Sequence, residues 1–86
     1  MEAKIHEAVQ AALKYIDEMD YGESSTTACI MEKLGYKLDF MDLFAVEMGV
    51  YKEVEKTRDY VMDKSSHDGK EEGWPFHLDF VKMKRE

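Results

Sequence analysis

Between residues 2 and 19 the apolar side chains Ile5, Val9, Ala12, Leu13, Ile16 and Met19 recur at spacings of three and four. That period winds them onto one stripe of an α-helix, with Lys4, Glu7, Gln10, Lys14, Asp17 and Glu18 mostly on the other side. No Pro or Gly interrupts the run before Gly22. A helix with one apolar stripe has to bury it, and a chain of 86 residues has room for one core in which to do so. The expectation is a single domain, residues 1–86.

The rest of the chain supplies shorter pieces. Residues 20–24 form a turn, with Gly22 free to take a positive φ. Ser24 or Ser25 can then cap a short helix ending near Leu34, with Gly35 where a left-handed C-cap residue belongs. Asp39 has the N-cap chemistry for a third helix, and Phe40, Leu43, Phe44, Val50, Val54 and Val61 mark an apolar stripe running on to Asp63. Gly49 is the point at which that helix would bend or break. Residues 64–73, KSSHDGKEEG, contain no apolar side chain and read as an exposed loop. After Trp74-Pro75, the run FHLDF alternates with period two, as a half-buried strand does. YKLDF at 36–40 echoes it. The fold class is therefore α+β, mainly α: three helices (about 2–19, 25–34 and 39–63) and a short C-terminal β element (about 76–83), with residues 36–40 as its candidate strand partner. Three helices followed by a β segment can also be drawn as a winged helix.

Charge is segregated along the chain. Nineteen acids against twelve bases give a net charge of −7. Residues 1–14 are balanced, and nearly all the excess falls in residues 15–51, where Asp17, Glu18, Asp20, Glu23, Glu32, Asp39, Asp42 and Glu47 face only Lys33 and Lys37. An acidic field repels phosphate backbones and steers basic surfaces toward it. The basic cluster at the tail, Lys82, Lys84 and Arg85, is too small to define a nucleic-acid footprint.

Enzymatic signatures are missing: there is no GxSxG, HExxH, Walker loop or GxGxxG. Ser65, Ser66, His67 and Asp68 are neighbours in a polar loop and cannot converge as a triad. His6, Cys29, His67 and His77 fall at no metal-ligand spacing. A lone Cys29 cannot form an internal disulfide. No apolar run spans a bilayer, and the first residues, MEAKIHEAVQ, lack the apolar core of a secretory signal. These features predict a cytoplasmic protein that is not an enzyme and uses no cofactor or metal. Seven Met and ten aromatic residues are more than a small core readily hides, which points to self-association or partner binding.

In size, acidity and lack of catalytic equipment, the chain is similar to phage-encoded inhibitors of bacterial defence, some of which mimic nucleic acid. That resemblance implies a small acidic inhibitor or binding module with a basic, nucleic-acid-binding protein as partner. The candidate contact residues are Asp17, Glu18, Asp20, Tyr21, Glu23, Asp39, Asp42, Glu47 and Trp74. No membrane and no direct nucleic-acid contact are expected, and a homodimer is compatible with the Met and aromatic excess. The alternatives are a winged-helix-like DNA-binding regulator, against which the acidic start of the third helix argues, and an oligomeric binder of a small ligand.

Overall fold

A computed structural model describes residues 3–64 and 80–85. Its elements are α1 (Ala3–Asp17), β1 (Ser24–Ser25), α2 (Thr27–Lys33), α3 (Phe40–Thr57), β2 (Tyr60–Lys64) and β3 (Phe80–Lys84). The strands form one antiparallel sheet in the order β1-β3-β2, so the last strand is central. Its register sets Ser25 opposite Phe80, and Met62 opposite Lys82. The α+β, mainly α class is what the sequence predicts.

The core forms where α1 meets α3 and α2. From α1 it takes Ile5, Val9, Leu13 and Ile16, with Ala8 and Ala12 fully buried between them. From α3 it takes Val46, Val50 and Val54, from α2 Ile30 and Met31, and the sheet closes it with Tyr60, Met62 and Phe80. Each buried Val, Leu or Ile side chain contributes about 1.5–3 kcal/mol.

Three expectations need correction. First, α2 is capped by Thr26, whose Oγ1 accepts the Cys29 N–H at 3.0 Å, because Ser24 and Ser25 are drawn into the sheet as β1. Second, residues 36–40 are not a strand. Gly35 sits at φ +85°, and the N–H groups of Gly35 and Tyr36 turn back to the carbonyls of Glu32 and Met31. This is a Schellman C-cap. Asp39 then caps α3 by accepting the Asp42 N–H at 2.9 Å, so too little chain lies between the two caps for a ladder. The partners of the C-terminal strand are β1 and β2; residues 76–79 of the expected β element, the 65–73 part of the expected loop, and Trp74 lie outside the described residues.

Third, the third helix runs unbroken through Gly49 but stops at Thr57, short of the expected residue 63. Arg58 adopts an extended conformation, and Tyr60, Val61 and Met62 enter the sheet with Tyr60 and Met62 facing the core. Aromatic and β-branched residues fit such a pleated, half-buried surface. The resulting order, α1-β1-α2-α3-β2-β3 with β3 in the centre of the sheet, is the element order of a winged helix.

The last strand also closes off both long helices. Lys82 is only 4% exposed, and its Nζ donates to the carbonyls of Ile16, Asp17 and Met19 at 2.9, 2.9 and 2.7 Å. The Ile16 and Asp17 carbonyls close α1 at the negative pole of its dipole, and the Met19 carbonyl lies in the turn just past it. Arg85 ties down the exit of α3, donating to the carbonyl of Val54 in its last turn and to those of Arg58 and Tyr60 just past it, each at 3.2 Å. Replacing Lys82 with Met keeps its stem but removes the ammonium donor from all three carbonyls, of which Ile16's still accepts the Met19 N–H at 3.0 Å. We expect Lys82→Met to destabilise the fold by about 2–4 kcal/mol in urea denaturation, and exposed Lys84→Met by under about 0.5 kcal/mol. Equal effects of the two substitutions would contradict the capping role.

Candidate functional site

The candidate contact residues occupy two regions of the fold. At the end of α1, Asp17 is committed internally. Arg58 grips its carboxylate with two nitrogens, at 2.8 and 3.0 Å, and the Tyr60 hydroxyl donates to the same carboxylate. The Arg58 contact, reinforced by the Tyr60 hydrogen bond, holds the Asp17 carboxyl below its ordinary range despite some burial. The Tyr60 hydroxyl is pushed the other way, chiefly by burial and then by its bond to Asp17. Lys82 Nζ lies 4.6 Å from the Tyr60 ring centroid and 5.3 Å from that of Tyr21, and Lys84 Nζ lies 5.5 Å from Tyr21. Long-range contacts have thus brought Arg58 and Lys82 against Asp17, and Lys84 against the Tyr21 ring. The charge separation seen along the chain is partly cancelled in space.

What remains outward at this end is Glu18, Asp20, Tyr21 and Glu23, all exposed. Glu23 also has a local task, because its Oε1 accepts the Asp20 N–H at 2.8 Å and stiffens the turn. Gly22, at φ +92°, lets the chain reverse here, and its N–H donates to the Lys82 carbonyl at 2.8 Å. The turn carrying the acids is therefore tied to the central strand.

The second region is α3. Asp39 is its N-cap, and Asp42 faces Lys4 of α1 at 3.6 Å. Glu47, read from the sequence as part of an acidic surface, is buried at 5% exposure, and its Oε1 has no hydrogen-bond partner. Burial alone pushes its pKa up to about 8. The signal was present in the spacing: Glu47 lies four residues after Leu43 and three before Val50, on the core-facing stripe. Phe40 and Phe44, assigned to the core stripe, are instead exposed, together with Met41 and Met48. Val46 takes the buried position. The helix has two apolar stripes, and only one of them is the core.

Among the described residues, no group of three or more His, Cys, Asp and Glu side chains could hold a metal ion. No described helix is long and apolar enough to cross a membrane. Hollows exist beside Asp17, Tyr21 and Arg58, and between α3 and β2, but the polar groups around Asp17 are satisfied by one another. No family model matches the chain, and comparison with curated proteins and with solved structures returns no significant match.

The two carboxyls make opposite demands on pH. Asp17, with its pKa lowered, stabilises the fold above the ordinary value of 3.8, and that contribution is lost as pH falls further. Glu47 ionises at 4.5 when unfolded but near 8 when folded, so stability falls as pH rises between those values. We expect maximal stability near pH 4–5. In urea denaturation at pH 4.5, 6 and 8, the stability of Glu47→Gln relative to the native chain should rise by on the order of 3 kcal/mol across the series. A difference that does not change with pH would show that Glu47 is not held protonated.

Proposed function

We propose that this chain is a small, non-enzymatic, acidic protein-binding module that offers the turn between α1 and β1 to a basic partner. Glu18, Asp20 and Glu23 carry the charge, and half-exposed Tyr21 supplies an aromatic anchor at their centre. In the specific form favoured by composition, the partner is a protein whose own surface is built for phosphates. The chain then acts as its inhibitor, in the manner of phage-encoded inhibitors of bacterial defence.

The observation that carries this reading is the character of α3. A winged helix that reads DNA sets its recognition helix against the major groove, where Arg, Lys, Asn or Gln side chains reach base edges. Here that helix opens Asp-Phe-Met-Asp and has no base before Lys52. Three bases at this end of the fold, Lys82, Arg58 and Arg85, are spent on carbonyls and on Asp17, while Lys84 on β3 stays exposed. Element order favours a DNA-binding regulator as the second reading, and the placement of these cations weighs against it.

The test must spare Asp17, since reversing its charge would break its contacts with Arg58 and Tyr60. Glu18→Lys/Asp20→Lys/Glu23→Gln keeps an acceptor at position 23 for the Asp20 N–H. Native chain and variant, matched by circular dichroism, would be used as baits in host lysate, and the captured protein then titrated in purified form. We expect a basic nucleic-acid-binding protein on the native bait, with affinity for the variant reduced about tenfold or more. Equal affinity for both would contradict an acidic docking turn.

A further inference from the structure

One turn apart on α1 stand His6 and Gln10, and one turn apart on α3 stand Lys52 and Lys56. The four side chains, all exposed, line the same hollow between the two helices. Among the described residues, neither lysine pairs with a carboxylate, since the ion pairs there are Lys4–Asp42 and Arg58–Asp17. Two like charges four residues apart on a helix repel each other, so the pair stands unrelieved. Glu53 is the one acid among the described lining residues, and the two lysines outweigh it. In a chain of net charge −7 the hollow is a local reversal of sign.

Gly49 belongs to the same lining. Glycine is among the poorest residues for a helix interior, yet α3 runs through it without a break. The hollow gives that position a use, because a residue with no side chain leaves space that any other would occupy.

Size and donor chemistry define the occupant. About 140 Å³ is well below the ~300 Å³ at which pockets for drug-sized ligands begin, so the hollow takes a single small group. Two ammonium groups, a carboxamide and an imidazole reach it from two helices. Ammonium groups bind phosphate as point charges, whereas a planar carboxylate is better matched by the fork of an arginine. A phosphate group offers acceptors on every side and carries enough charge to neutralise two lysines.

We propose that the hollow between α1 and α3 binds one phosphate group, with Lys52 and Lys56 supplying the charge and His6 and Gln10 the flanking hydrogen bonds. Two lysines serving one group are too few to form a duplex footprint. The site shares no residue with the acidic turn and does not depend on it.

Inorganic phosphate titrated into the isotope-labelled native chain at constant ionic strength, followed by amide chemical shifts, tests the proposal. Saturable changes centred on residues 6–10 and 49–56 are expected, with half-saturation at millimolar phosphate. Lys52→Gln/Lys56→Gln should raise Kd about tenfold or more, and Lys14→Gln/Lys37→Gln, which removes the same charge from exposed positions outside the hollow, by less than about twofold. A response that never saturates, changes spread over the exposed lysines, or equal effects of the two double variants overturns the proposal. A small phosphate monoester in place of inorganic phosphate separates the sources. Tighter binding assigns the hollow to a phosphate carried on a small molecule, and equal or weaker binding assigns it to the free anion.

Discussion

The ammonium group of Lys82 is the point at which this fold is tied together. It enters from the last strand, near the C-terminal end of the sequence, and satisfies three carbonyls at the end of the first helix. A buried lysine is costly unless its charge is compensated. Here the compensation comes from those oxygens, the helix dipole, and the face of Tyr60. The Asp17–Arg58 pair beside it joins the same helix end to the residue that terminates α3. Helix, sheet and helix therefore meet at one polar junction, and the acidic turn hangs directly from it.

That junction has a functional consequence. Three of the twelve bases, Lys82, Arg58 and Arg85, hold the frame, and none of them is left as an unengaged surface cation. Of the three, Lys82 is buried, and α3 itself carries no base before Lys52. These engaged cations are what the proposal of a protein partner, in place of a nucleic acid, draws on.

Much of the fold was legible because it rests on local chemistry. The three-and-four spacing defined α1, Asp39 announced its own cap, and Gly35 fell at the left-handed position. What the sequence concealed was set by distant contacts. Nothing local distinguishes Tyr60-Val61-Met62 as strand rather than the end of a helix until β3 pairs with it. Ser24 and Ser25 lost their capping role to Thr26 for the same reason. Lys82 could have been placed, since it shares parity with Phe80 along the strand and so points inward, but its charge grouped it with the tail. On α3, Glu47 and Phe44 exchanged their expected places because an apolar stripe at helical spacing does not declare which of two such stripes meets the core. Linear charge segregation was equally misleading around Asp17, where folding brings Arg58 and Lys82 alongside.

The central claim is that Lys82, Arg58 and Arg85 are committed to the fold and not to a phosphate backbone. Fluorescence anisotropy of a labelled DNA duplex against the native chain at low salt tests that claim most directly, because phosphate-driven affinity is strongest there. The account predicts no binding up to the highest soluble concentration of protein. Saturable binding whose affinity falls steeply, on logarithmic scales, with salt concentration would contradict it.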